Sequence, residues 1–299
     1  MSASAVPTTT AGSRTDRNPG PVGAVSVIST GTVQIHPQQR NGTRLPLFVW
    51  LMGSRSWTPP LSINVYVIEH ASGLVLFDTG QDRASVTDPD YFPGGFAGLL
   101  YGRLARFEIG PQDSLTAKLA SAGYTASDVR IAILSHLHQD HIGGIPYLSK
   151  TEFIVANAEW QDLEKARPEL RGLLRRHIDL PGVRYRQIQF APTDDPDLAP
   201  FTAAYDVMGD GSLVLLPTPG HTPGSISAYL DRDGKRILFG QDIHGPFHKA
   251  FGSDIEDWKK SMQLLLGLNA DILCEGHFGI FQPKEKVRDY IERYLDEYE

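Results

Sequence analysis

A single cysteine, Cys274, in 299 residues leaves no partner for an intramolecular disulfide, so the fold must be held by packing rather than by covalent staples. Long apolar runs are missing too: no uninterrupted stretch approaches the ~20 residues needed to span a bilayer. Positive charge is in deficit, with 28 Lys and Arg against 35 Asp and Glu and a net charge of −7, the opposite of the basic surface that binds nucleic acid. The nearest thing to a basic cluster, Arg171 with Arg175 and Arg176, is expected to be a solvated helix face. No GxGxxG or P-loop pattern points to a nucleotide. The N-terminus has neither the charged start nor the apolar core of a signal peptide. These absences lead us to expect a cytoplasmic protein acting on a small molecule, with no nucleic-acid or membrane partner and a homodimer left open.

What the chain does have is a dense cluster of metal donors. Ser135-His136-Leu137-His138-Gln139-Asp140-His141 follows the apolar run Ile131-Ala132-Ile133-Leu134 and precedes Gly143-Gly144. The run reads as a buried strand, and the glycine pair as a sharp turn after the donors. Imidazole nitrogen and carboxylate oxygen suit zinc and its borderline neighbours. His136 and His138 are expected to project to one side, with Asp140 and His141 steered toward a second position. Three later segments repeat the grammar of a short apolar strand delivering one donor beside a glycine. They end at His221, at Gln241-Asp242, and at Glu275-Gly276-His277. Cys274 lies in the last of these runs and reads as a buried core thiol.

Residues 1–21 are rich in Ser, Thr, Ala, Gly and Pro and read as a disordered or loosely attached arm; residues 22–299 read as one domain. Residues 64–69 and 74–77 form an expected hairpin closed by Asp78-Thr79-Gly80. Residues 82–107, with Tyr91, Phe92, Phe96, Tyr101 and Phe107, look like a functional loop or lid, or aromatics anchoring a loop on the core. Asp113 is expected to cap a helix running to about residue 122, with Gly123 as its stop, and Asn157 to cap one holding Trp160 and Leu163. Ser253 or Asp254 starts a helix with Ile255, Trp258, Met262 and Leu265 on one face. Pro283 opens the last, where Val287, Tyr290, Ile291, Tyr294, Leu295 and Tyr298 form an inward stripe. Strand-rich runs separated by helices suggest a layered α/β arrangement.

The pattern His136-x-His138-x-Asp140-His141, with later His221, Asp242 and His277, resembles the metal signature of the metallo-β-lactamase superfamily. That resemblance implies a four-layer αβ/βα sandwich with the site between the sheets. It implies two divalent metals, zinc by expectation. His136, His138 and His221 would hold one; Asp140, His141 and His277 would hold the other; Asp242 would bridge. Asp78 matches the aspartate that supports the ligand loop by fixing a histidine tautomer. Two divalent ions, less the Asp140 and Asp242 carboxylates and a bridging hydroxide, leave one residual positive charge, which favours an anionic tetrahedral intermediate. Hydrolysis by attack of that hydroxide, with Asp140 and Asp242 as the catalytic carboxylates, is the implied reaction.

Within the superfamily, residues 64–70 and 73–80, with Phe107-Glu108-Ile109-Gly110, are similar to the N-acyl homoserine lactone lactonase-like branch. One departure stands out. Lactonases of that branch carry a Tyr three residues after the bridging Asp, and this chain has Gly245; His244 and His248 are candidates either for substitute donors or for surface or structural histidines. Phe278 and Phe281 are candidate pocket walls or core residues. A glyoxalase II-like thioesterase shares the ligands but needs a basic glutathione site, which we do not find here. A phosphodiesterase shares them too, against the acidic charge. A persulfide dioxygenase-like enzyme would use one iron, and the flavodiiron type has Glu where this chain has His138. A non-catalytic metal-binding protein would be expected to have lost ligands.

Overall fold

Alternation inside the apolar runs decides the layers. Successive strand residues point to opposite faces, and a strand apolar at every position must be covered on both. Ile131 and Ile133 enter one core cluster while Ala132 and Leu134 enter another; Val75 and Phe77 part from Leu74 and Leu76 in the same way. In the second half, Ile237 and Phe239 face inward and Leu238 outward, and Leu215 is inward between Val214 and Leu216. The computed structural model describes residues 4–5, 21–41, 47–245 and 252–298. Most of the expected N-terminal arm, and His248, lie outside the described residues.

The first sheet runs in the order Ser4–Ala5, Val22–Ile35, Leu61–His70, Gly73–Phe77, Val129–Ile133, Glu152–Ala156, Arg184–Ile188, with Ala105–Glu108 also paired to Val22–Ile35. The second runs Gly279–Phe281, Ile272–Glu275, Lys235–Gln241, Ile226–Arg232, Val214–Pro217, Ala203–Asp206, Ala191–Pro192. Parallel pairing joins Gly73–Phe77 through Arg184–Ile188, and joins Lys235–Gln241 to Ile272–Glu275. The sheets pack face to face through Tyr66, Phe77, Ile133, Ala228, Phe239 and Cys274. Phe239 meets Tyr66 and Phe77 at ring distances of 5.3 and 5.8 Å, and Cys274 is fully buried as expected. Each large apolar side chain among them, such as Phe77, Ile133 or Phe239, contributes about 1.5–3 kcal/mol by leaving water.

Helices cover both outer faces. Leu115–Ser121 and Asn157–Glu164 cover the first sheet, and Ile255–Leu268 with Lys284–Glu297 covers the second. The result is the expected four-layer αβ/βα sandwich. Trp258, Met262 and Leu265, and then Val287, Tyr290, Ile291 and Tyr294, form the expected buried stripes. Ile255 does not join its stripe; it is 41% exposed in the first turn of its helix. No helix among the described residues is long and apolar enough to cross a membrane.

Several local expectations need correction. Ser114, not Asp113, caps Leu115–Ser121, its hydroxyl accepting from Ala117 N; Asp113 turns back to accept from Gly110 N in the preceding short turn. Asn157 is the first helical residue rather than the cap. Residues 82–107 are not one loop, for they contain the helices Ala84–Thr87 and Gly95–Leu104 and the start of a strand. Arg175 and Arg176 are exposed, as expected of a solvated face, whereas Arg171 is half-buried, and all three also serve a structural role. Arg171 bonds Asp162, Arg175 bonds the Leu163 carbonyl, and Arg176 bonds the Asp90 and Tyr91 carbonyls, so they tie loop to helix.

Candidate metal centre

All the donors sit where strands end on one rim, the usual place for chemistry on a rigid scaffold. After Val129–Ile133 the chain passes through His136, reaches His138 in extended backbone and turns into the short helix Gln139–Ile142. His221 follows Val214–Pro217, Asp242 follows Lys235–Gln241, and His277 follows Ile272–Glu275. Their donor atoms fall into three overlapping groups, each within 4.8 Å: His136, His138 and His221; His136, His141 and Asp242; Asp140, His141 and His277. His138 Nδ1 lies 3.0 Å from His136 Nε2 and 3.1 Å from His221 Nε2. Asp242 lies centrally, Oδ2 being 3.5 Å from both His141 Nε2 and His221 Nε2, and Oδ1 3.2 Å from His277 Nε2. The structure thus brings together every residue the sequence singled out as a ligand.

The outer ring nitrogens are tied down. His141 Nδ1 pairs with Asp78 Oδ2 at 2.6 Å, His136 Nδ1 with Ser135 Oγ at 3.0 Å, His221 Nδ1 with the Gly245 carbonyl at 3.2 Å, and His277 Nδ1 with the Ser62 carbonyl at 2.8 Å. Fixing one nitrogen fixes which one faces inward. Asp78 also accepts from Ser135 N and Ser135 Oγ at 2.7 and 2.8 Å. It is fully buried at φ +62°, a strained position for a residue with a side chain. Burial pushes its carboxyl up, and His141 opposes that.

The glycine pair stands in a turn after the donors, as expected, but the turn itself does not require glycine. Gly143 and Gly144 have φ −61° and −84°, values open to any residue. They are glycines because neighbours come close: a β-carbon on Gly143 would lie 2.0 Å from Asp82 N, and one on Gly144 2.3 Å from Leu115.

Two acids that the sequence reading missed hold the loops. Glu159, fully buried on Asn157–Glu164, accepts from Leu137 N, Gly224 N and Thr222 Oγ1 at 3.0, 3.0 and 2.7 Å, joining the His136–His138 stretch to the loop after His221. Glu275 accepts from His277 N and Phe278 N, both at 2.6 Å, and from His244 Nδ1 at 2.8 Å. Glu159 stands in no motif, and Glu275, although it precedes Gly276-His277, carries no local sign of the bonds it makes.

Electrostatics separate the rings. Burial pushes His136 well below its ordinary value, His138 down to about 3, and His221 downward. Burial also opposes charge on His141 and His277. Asp78 and Asp242 overcome it at His141, and Asp242 holds His277 up to about 9. Burial likewise opposes the Asp242 carboxylate, but His277 and His141 hold it well below the usual range. A central carboxylate beside inward nitrogens, with His141 Nε2 buried and lacking a hydrogen-bond partner among the described residues, is a donor set that suits divalent cations.

A cleft of about 690 Å³ opens over these donors, its apolar wall made by Val33, Ile35, Leu61, Tyr101, Leu104 and Phe107. His244 also lines it. Of the aromatics in residues 82–107, only Tyr101 and Phe107 reach the cleft; Tyr91 is buried, Phe92 stacks on Tyr101 at 5.3 Å, and Phe96 is 60% exposed. Phe278 and Phe281 are not walls, since both pack on the second sheet's helices, Phe281 against Tyr290 at 4.1 Å. The space a side chain at Gly245 would take is occupied by Tyr298, whose hydroxyl would lie 2.8 Å from a β-carbon there.

Residues 58–277 match the family model described as the metallo-beta-lactamase superfamily. N-acyl homoserine lactonase AttM of Azorhizobium caulinodans is 30% identical over 183 residues, 60% of this chain and 64% of the relative. N-acyl homoserine lactonase of Bacillus cereus is 28% identical over 179 residues, 60% of this chain and 62% of the relative. The chain therefore spans a little under two thirds of the length of the curated relatives it matches. Among solved structures, an N-acyl homoserine lactone hydrolase with N-hexanoyl-L-homoserine bound at its catalytic metal centre superposes with a TM-score of 0.64, at 22% identity, over 85% of this chain and 92% of that one. AidC, a dizinc quorum-quenching lactonase in complex with the same product, gives 0.58 at 15% identity, over 88% and 91%. At these identities the superpositions speak for the fold.

Proposed function

This chain belongs to the metallo-beta-lactamase superfamily, and on that premise we propose that it is a two-metal hydrolase that opens a lactone, or cleaves a related carboxylic ester, bearing an apolar substituent. The observation that carries the reading is the convergence of His136, His138, Asp140, His141, His221, Asp242 and His277 at the base of an apolar cleft. His136, His138 and His221 would hold one ion, Asp140, His141 and His277 the other, and Asp242 both; zinc suits the donors. When bound, such a pair supplies hydroxide near neutral pH and polarises a carbonyl oxygen. The residues of the chain do the rest. Asp78, Ser135, Gly245 and Ser62 orient the rings. Val33, Leu61, Tyr101 and Phe107 offer an acyl substituent a dry wall. The His244 imidazole, steadied by Glu275, is the polar group beside that wall.

Elemental analysis of gently purified protein should give close to two metal equivalents, and a value that stays at one after remetallation would sink the two-metal reading. The loaded protein is then assayed on lactones, esters, thioesters and phosphodiesters. Turnover of a lactone or ester is expected. Turnover of a thioester or phosphodiester alone would reassign the substrate, and none at all would favour a binding role.

A further inference from the structure

Gln241, the residue before Asp242, is 1% exposed, and among the described residues neither Nε2 nor Oε1 of its amide has a hydrogen-bond partner. Burying an unpaired amide is costly, and here both ends are buried. The backbone adds a second cost. Gln241 sits at φ +48°, in the left-handed region that glycine enters freely and a residue with a β-carbon does not. It ends its strand at a register shift between Phe239 and Gln241 against Ile272–Glu275. A glycine at 241 would avoid both costs, so the amide that stands there calls for a task.

Its direction supplies one. A β-carbon placed on Gly276 would lie 2.7 Å from Gln241 Oε1 and 2.7 Å from Asp242 Oδ1. The two groups converge on one spot that only a glycine leaves open. Asp242 Oδ1 faces His277 Nε2 at 3.2 Å, yet it too is buried without an acceptable hydrogen bond among the described residues. The oxygen and nitrogen of a glutamine exchange places when the terminal amide turns over, and the neighbours decide which faces where. With nitrogen toward the shared spot, the amide would offer its N–H to Asp242 Oδ1.

We infer that Gln241 is a positioning residue whose amide N–H holds Asp242 Oδ1 and so sets how this carboxylate presents Oδ2 to the space between His141 and His221. The role rests on the reading of Asp242 as the carboxylate shared by two metals. Gln241 acts through Asp242 and need not touch substrate; it lies with Asp242, Ser135 and Thr218 around a small cavity behind the donors.

Gln241→Met keeps length and volume and removes both polar ends, whereas Gln241→Glu keeps the shape but sets a second acceptor against Asp242. The metal-stripped parent and both variants are titrated with Co²⁺ while the visible spectrum is followed. The Met variant is expected to keep the parent's circular dichroism and first-equivalent affinity. It should bind the second equivalent about tenfold more weakly, the low end of losses for outer partners of metal ligands. Its cobalt bands should shift, and kcat should fall with KM unchanged. The Glu variant should lose more, and it decides alone if the Met variant does not fold. A folded variant with the parent's second-equivalent affinity and cobalt bands overturns the role. A parent that itself binds one equivalent fails the two-metal reading first, and the role of Gln241 goes with it.

Discussion

On the floor of the cleft, His136, His141, His221 and His277 each have the outer nitrogen held by a fixed oxygen, and the loops between them are pinned by the buried carboxylates of Asp78, Glu159 and Glu275. On the rim, the helices Leu47–Gly53 and Gly95–Leu104 meet through a small cluster of Trp50, Leu51 and Leu104, and present Val49, Met52 and Leu99 at 54, 39 and 51% exposure. The floor is polar, buried and determined several times over; the rim presents apolar side chains to solvent and is tied mainly by Arg103, which donates to the carbonyls of Leu51, Met52 and Ser54. Such a difference assigns tasks. A site that handles charge needs donors that do not reorganise, whereas a wall that receives an apolar group needs area and tolerates adjustment. Damage to the floor should therefore appear in metal binding and turnover, and damage to the rim in substrate preference.

The sharpest break is Asp242→Asn. Losing the central carboxylate should cost more than the ~100-fold at the top of the range for outer partners, with circular dichroism unchanged. Two retained metals and near-parental turnover would show that Asp242 is not the bridge. Next comes Asp78→Asn, which leaves a neutral partner for His141 and Ser135 and should weaken metal affinity about 10–100-fold; parental affinity in a competition titration would count against its orienting role. On the rim, Phe107→Ala should raise KM about tenfold for long-chain substrates, the equivalent of some 1.4 kcal/mol of lost apolar contact, and little for short ones. An equal rise for both would mean that Phe107 does not read the chain.

The smallest effect lies away from both regions. The Tyr124 hydroxyl and Ala24 N hold the Glu69 carboxyl below its ordinary value, burial opposing them. A lowered folded value stabilises above the unfolded pKa of about 4.3 and is lost as pH falls through the folded one. Tyr124→Phe should therefore lower Tm slightly at neutral pH, with the gap to the parent closing in acid. A gap that stays constant from neutral pH to about pH 2 would remove Glu69 from the acid response.

The layered fold was legible because strands buried on both faces write unbroken apolar runs, as in residues 131–134, and because the two last helices carry clean stripes. The ligand set was legible for a different reason. Donors at strand ends beside glycine are dense enough to be seen one segment at a time. What stayed hidden depends on distance in sequence. Glu159 holds residues on both sides of the site, and Tyr298 fills the place beside Gly245; neither relation leaves a local trace. The turn at Gly143-Gly144 was legible but its cause was not, since these glycines answer to the passing backbone of Asp82 and the side chain of Leu115 rather than to their own dihedrals. Residues 82–107 were misread because Pro, Gly and scattered aromatics blur the period of the helix Gly95–Leu104.

The donors come from four separated stretches, residues 136–141 beyond the first sheet and His221, Asp242 and His277 beyond the second. Each ion held there would fasten one half of the chain to the other. An unfolded chain offers no comparable cage, so by mass action a metal at a hundredfold excess over its Kd adds about 2.7 kcal/mol to the folded state. With metal held there, its supply in the cell would become a term in the lifetime of the protein itself: a chain starved of metal would be easier to open, and so easier for proteases to clear.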